Sequence, residues 1–202
     1  MIFYFIRHGQ TEYNNRWLMQ GWSDIPLNET GIAQAEKAAG YFRKNGITFD
    51  RVYASPLCRA VKTACVVSGL SPEQVVTDER AKEIRLGIVE GQDFRQLPQI
   101  YKDLFDNPPA YVTPEGGESI AQVQARTRSL LEALKGLETA DNDQETVLIA
   151  THGCALRAFL SVIEDTPLQD FWRPGLRNCC IVKVLLKKGI YTIDEIIESE
   201  DQ

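Results

Sequence analysis

Histidine is scarce in this chain: 202 residues hold two, His8 and His152. Neither stands in an H-x-x-x-H or histidine-plus-carboxylate spacing, so no metal-ligand pattern is visible and no metal is expected. The five cysteines include no C-x-x-C pair and are odd in number. That argues against a zinc site and against a complete disulfide framework, and it predicts reduced thiols in a cytoplasmic protein. Adjacent Cys179 and Cys180, at the head of the apolar run CCIVKVLL, are expected to pack in the core or on a strand. Positive charge is also in deficit. With 22 Lys and Arg against 28 Asp and Glu, the net charge of −6 excludes bulk attraction to nucleic acid or an anionic membrane. An anionic small substrate would need arginines placed locally. No apolar run approaches a membrane span, and the opening MIFYFI is short for a signal peptide and has no basic lead-in. Repeats, low-complexity tracts and linkers are absent, so residues 1–202 read as one domain.

Short apolar, β-branched or aromatic runs occur at 2–6, 51–54, 147–151 and 181–186. Each has strand length, and their continuous apolar character predicts burial on both faces. Helical patterns lie between them. One has Asn28 as cap and a stop at Gly46; the next opens with Ser55 as cap and Pro56 in its first turn and ends at Gly69. A third carries Ile120, Val123, Leu130, Leu131 and Leu134 and ends at Gly136, and CALRAFLSVIED reads as a fourth. Alternation of strand and helix predicts an α/β fold, with a mostly parallel sheet covered on both faces. Residues 85–117, rich in Pro and Gly, read as an irregular excursion near the site. The closing ESEDQ reads as a solvated acidic tail. At least one of Trp17, Trp22 and Trp172 is expected in the core.

Ligands of open α/β sheets bind beyond the carboxyl ends of the strands. Here one run ends in Arg7-His8, another in His152-Gly153, and a third leads through Ser55-Pro56 to Arg59. If those strands are parallel, two histidines and two arginines meet at one edge, with a helix N-terminus near Ser55 to favour an anion. That set suits phosphoryl transfer. A neutral imidazole is a competent nucleophile near pH 7, and arginine forks fit phosphate oxygens. Gly9 and Gly153 would let backbone approach the phosphate. A carboxyl group must protonate the leaving oxygen; Glu79, Glu83 and Glu90 are all candidates, and spacing does not choose among them.

The segments RHGQTEYN, QGWSDIPLNETG, ASPLCRAVKTA, EIRLGIVEG, GGES and ATHG, in that order, resemble the histidine phosphatase (phosphoglycerate mutase-like) superfamily. The likeness runs from Arg7 to about Asn178, and the size and motifs look most like its bacterial broad-specificity phosphatases. The resemblance implies a three-layer αβα sandwich, with His8 as the phosphohistidine and Glu83 as the proton donor. It implies a phosphate pocket of Arg7, Arg59 and His152, with Asn14, Gln20, Gly21 and Gly153 against the substrate. The activity implied is phosphomonoester hydrolysis of small phosphorylated metabolites, without cofactor or metal, by a monomer or homodimer. A cofactor-dependent phosphoglycerate mutase, an α-ribazole phosphatase and a non-catalytic phosphate-binding module are the alternatives. The interval between Glu83 and His152 lacks the insertion of a glycolytic mutase. Two positions depart from the family pattern: Gln10 stands where glutamate is frequent, and Cys154 puts a thiol after His-Gly.

Overall fold

In the computed structural model, which describes residues 1–139 and 144–198, the four expected strands form the middle of one sheet. They are β1 (Ile2–Arg7), β2 (Arg51–Ala54), β4 (Thr146–Thr151) and β5 (Ile181–Lys187). Two more strands extend it: β3 (Val76–Thr77) beside β2, and β6 (Ile190–Ile197) beside β5. The order is β3-β2-β4-β1-β5-β6, parallel from β3 to β1 and antiparallel at β5 and β6. β6 turns back from β5 through Lys188 and Gly189, both at positive φ, as a two-residue hairpin loop requires.

Alternation along the central strands sorts side chains into two cores. Phe3, Phe5, Val147 and Ile149 face one side, where α5 (Ile120–Lys135) and α6 (Gly153–Glu164) bring Leu130, Leu134, Leu156 and Phe159. Tyr4, Ile6, Leu148 and Ala150 face the other, against Ala35 and Phe42 of α2 (Glu29–Lys44) and Ala64 and Val67 of α3 (Cys58–Ser68). The architecture is the expected three-layer αβα sandwich. Asn28 caps α2 as expected, its Oδ1 accepting from the Gly31 N–H, and Ser119 closes a capping box on α5.

Ser55 does not cap the next helix. Its N–H is still bonded to the Ala150 carbonyl at 2.9 Å, which prolongs the β2–β4 ladder, and α3 begins only at Cys58. The excursion at 85–117 carries several single 3-10 turns and one regular helix, α4 (Gln99–Asp106). It packs Leu86, Leu97 and Leu104 on Met19, Cys154, Ala158 and Phe171 in a third cluster. A short helix, α1 (Glu12–Asn15), follows β1 directly. None of the three tryptophans is fully buried: Trp17 is 61% exposed, while Trp22 and Trp172 are half-buried with each indole N–H bonded to a backbone carbonyl. A polar end that needs a partner keeps such rings at the rim of a core. Cys179 and Cys180 are buried, and all five cysteines are free. Among the described residues no helix is long and apolar enough to cross a membrane. The acidic tail lies, from residue 199 on, outside the described residues.

Candidate active site

The parallel register of β1 and β4 pairs Ile2 with Thr146 and runs in step to Arg7 with Thr151. The next residue of each strand is therefore His8 and His152, and the His8 N–H donates to the Thr151 carbonyl at 2.9 Å. The two rings stand edge to face, centroids 5.1 Å apart. β2 lies on the far side of β4, and the first turn of α3 brings Arg59 back toward them.

Hydrogen bonding fixes opposite tautomers on the two rings. His8 Nδ1 lies 2.7 Å from the Gly9 carbonyl, which can only accept, so Nδ1 carries the proton and Nε2 keeps its lone pair. Arg59 Nε donates to His152 Nδ1 at 3.2 Å, so the remaining proton of His152 sits on Nε2. Burial, with the charges of Arg59 and Arg7, holds the pKa of His8 well below the ordinary imidazole value. His152 is held low by burial and then by Arg59. Both rings are neutral at pH 7. One offers a lone pair and the other an N–H.

Arg7 donates from Nη1 to the Leu176 carbonyl at 2.6 Å, which orients the guanidinium, while its buried Nε has no partner. His152 Nε2 is also unpartnered. Two orphaned donors beside an imidazole lone pair suit an anion site, since unpaired buried donors are costly otherwise. Arg59 is fully buried, and three of its N–H groups are engaged: Nε on His152, Nη1 on the Ser23 carbonyl and Nη2 on that of Gly21. It braces the Gln20–Ser23 turn and polarises His152, leaving its second terminal N–H groups for a ligand.

Of the three glutamates, only Glu83 lines the cavity. Its Oε1 accepts from Ile84 N–H at 2.9 Å and Ala155 N–H at 3.1 Å, and Oε2 from Cys154 N–H at 3.3 Å. The free N–H groups of α6 thus hold a carboxylate. This corrects the expected helix site near Ser55: the first N–H of α3, on Cys58, is taken by Asp24 at 2.7 Å. Glu79 is exposed and paired with Lys82. Glu90 is structural, accepting from the Trp22 and Leu86 N–H groups on Oε1 and from the Ser23 hydroxyl on Oε2.

The cavity, about 320 Å³, is lined by Arg7, His8, Asn14, Gln20, Gly21, Arg59, Glu83 and Gly153 among others. His152 alone of the expected site residues is not among the lining residues; it is fully buried, edge to face with His8. Asn14 directs Oδ1 to the Thr11 N–H, and Gln20 accepts from the Thr11 hydroxyl through Oε1, which leaves both amide nitrogens for a ligand. Gly21 sits at φ +51°, where a Cβ would lie 2.3 Å from Glu90 Oε1. Gly9 has a different reason from the expected one. Its missing Cβ makes room for the Gly31 carbonyl, which would stand 2.3 Å away, rather than for a phosphate. At Gly153 a Cβ would stand 3.4 Å from the Arg7 guanidinium, an ordinary contact, so no close approach there requires glycine.

Some supporting residues gave no sequence signal. Arg126 of α5 donates to the carbonyls of Arg80, Lys82 and Glu83 while paired with Glu118 at 3.0 Å, and Trp22 Nε1 donates to the Glu83 carbonyl at 2.7 Å. Together they fix the backbone that carries Glu83. Thr63 accepts the Gly9 N–H, and Asn178 donates to the His8 carbonyl. The Cys154 thiol is buried, and burial followed by the Glu83 charge pushes its pKa well above the ordinary thiol value. Among the described residues, no cluster of three or more His, Cys, Asp or Glu could hold a metal ion.

The sequence pattern of the histidine phosphatase superfamily (branch 1) matches residues 3–198. A protein of Hydrogenobacter thermophilus with the provisional name phosphoserine phosphatase 2 is 33% identical over 90% of this chain and 87% of its own length. One of Proteus mirabilis named probable phosphoglycerate mutase GpmB is 32% identical over 90% of this chain and 83% of its own. Among solved structures, Bacillus stearothermophilus YhfR superposes with a TM-score of 0.84 at 30% identity, covering 95% of this chain and 94% of that one. Phosphoserine phosphatase of Entamoeba histolytica, bound to phosphoserine, superposes with a TM-score of 0.81 at 28% identity, covering 96% and 95%. By its sequence and by its fold, then, the chain belongs to the histidine phosphatase superfamily, branch 1, and is an enzyme of that phosphatase type.

Proposed function

We propose that the chain is a metal-independent phosphomonoesterase that works through a phosphohistidine on His8, acting on small phosphorylated metabolites in the cytoplasm. The observation that carries this reading is the neutral His8 with its lone pair on Nε2, beside the unpartnered Nε of Arg7 and the carboxylate of Glu83. In the first step Nε2 attacks phosphorus and the ester P–O bond breaks. Glu83 gives its proton to the departing alcohol oxygen. In the second step the ionised Glu83 takes a proton from water, whose oxygen attacks phosphorus and frees His8 and inorganic phosphate. Arg7, Arg59 and the His152 Nε2–H spread the transition-state charge, so no step requires a metal. The free thiols support a reducing compartment.

A mutase is the second reading, favoured by the relatives named probable phosphoglycerate mutase. Phosphate release from nitrophenyl phosphate in excess EDTA, with wild type and His8→Ala, tests the proposal. Release by the wild type alone supports it. Turnover of phosphoglycerate only in the presence of a bisphosphate primer, with no phosphate released, points to the mutase.

A further inference from the structure

A second cavity of about 470 Å³ adjoins the phosphate cavity, the two sharing Arg7, Asn14, Leu18, Met19 and Phe105 as lining residues. Beyond that shared wall the second cavity is lined by Tyr13, Trp17, Phe94, Asp106 and Asn178. Phe105 touches aromatic rings on both sides: Phe94 edge-on at 5.4 Å between centroids, and Trp172 tilted at 5.0 Å. Phe105 is still 41% exposed and Trp17 61%, so this is an uncovered aromatic face next to the chemical site.

Two further observations point the same way. Trp17 sits at φ +61°, a left-handed conformation that is strained for a bulky side chain. The strain is held by its N–H on the Asn14 carbonyl and by its own carbonyl, which accepts from Phe94. Charge is the second. Among the described residues lining either cavity, Arg7 and Arg59 are the only cations, and both serve the phosphate end. The far cavity adds one charged residue, the acid Asp106, beside the neutral Tyr13 and Asn178. Lys102, 5.9 Å from the Phe94 ring centroid, is bonded to the Arg95 carbonyl.

We propose that this second cavity receives the leaving alcohol and selects apolar, ring-bearing phosphomonoesters over esters that carry a carboxylate. An aromatic alcohol would bury its ring against Trp17, Phe94 and Phe105. A carboxylate there would face Asp106, and the one cation on that wall, Arg7, is taken up by the phosphate. The proposal rests on the phosphatase reading for its catalytic consequence, but the preference itself is a property of the pocket.

The experiment has a kinetic and a binding arm. kcat/KM is measured for phenethyl phosphate, ethyl phosphate and phosphoserine, all primary alkyl esters, so that differences report recognition rather than leaving-group reactivity. Phenethyl phosphate is expected to exceed ethyl phosphate by about tenfold or more, the gain from burying a phenyl ring, with phosphoserine lowest. Trp17→Ala and Phe105→Ala each should lower the phenethyl-to-ethyl ratio several-fold. A higher kcat/KM for phosphoserine than for phenethyl phosphate, or a ratio unchanged in both variants, overturns the proposal. In the binding arm, phenethylphosphonate and carboxyethylphosphonate are titrated calorimetrically into wild type. Tighter phenethylphosphonate binding supports the pocket even where no ester is hydrolysed, a result that would sink the phosphatase reading alone. Equal or reversed affinities overturn the pocket.

Discussion

His8 and His152 stand 5.1 Å apart in opposite neutral tautomers, one holding a lone pair on Nε2 and the other a proton. Neither ring could exchange roles with the other without losing its fixed partner. The Gly9 carbonyl cannot donate, and the Arg59 Nε–H cannot accept. In the proposed mechanism the nucleophile and the donor are thus set by backbone and arginine before any substrate arrives.

Both histidines also make stability depend on pH. Their folded pKa values lie below the ordinary 6.5, so in the window beneath that value the unfolded chain binds protons that the folded chain does not. The contribution is therefore intact above pH 6.5 and is lost as pH falls below it, toward the lowered folded values. Urea midpoints followed from about pH 8 to about pH 5 should decline below the unfolded-state value. His8→Asn combined with His152→Asn should flatten that decline, and an unchanged slope would contradict the neutral assignment.

Glu83→Gln should separate substrates by leaving group. An alkyl ester needs a proton on its departing oxygen and should slow on the order of a hundredfold or more. A nitrophenyl ester leaves as a stable phenolate and should slow far less. Equal losses for both would remove Glu83 from the role of acid.

The other two glutamates give contrasting expectations. Glu79→Gln, which removes an exposed charge paired with Lys82, should leave activity at the wild-type level and shift stability by less than about 1 kcal/mol. Glu90→Ala orphans the N–H groups of Trp22 and Leu86 and the Ser23 hydroxyl, and should cost about 2–3 kcal/mol in urea unfolding. Loss of activity in Glu79→Gln with full retention in Glu90→Ala would invert the assignment.

Gly9→Ala presses a methyl group onto the Gly31 carbonyl, a backbone atom with nowhere to go. The expected cost is about 1–3 kcal/mol in thermal or urea unfolding, with α2 displaced relative to β1. A neutral substitution would show that the two segments can part freely.

The thiol at Cys154 should behave as an inert core group. Burial and the Glu83 carboxylate keep it protonated, so activity should survive iodoacetamide at neutral pH. Rapid inactivation with Cys154 labelled would show a thiolate instead.

Much of this site could be read in the chain because β1 and β4 are continuous apolar runs that each end in His-Gly. Strands buried on both faces leave such a signature, and parallel pairing in step does the rest. β6 escaped because IYTIDEII is a half-exposed edge strand whose polar and apolar residues mix, and β3 has two residues. The start of α3 was misplaced because a Ser-Pro pair looks like a cap, whereas the Ser55 N–H was already engaged by the neighbouring strand. The choice among Glu79, Glu83 and Glu90 was invisible to spacing. It depends on which carboxylate reaches the N-terminus of α6, a contact across 71 positions. Arg126 gave no signal for the same reason: it braces Glu83 from another helix.

The measurement that bears most directly on the central claim is covalent trapping. Enzyme mixed with a fast aryl phosphate is quenched in base within a turnover, digested and mapped by mass spectrometry. The account predicts one acid-labile, base-stable phosphoryl group on His8, absent in His8→Ala. A phosphoryl group elsewhere, or steady phosphate release by His8→Ala, would contradict it.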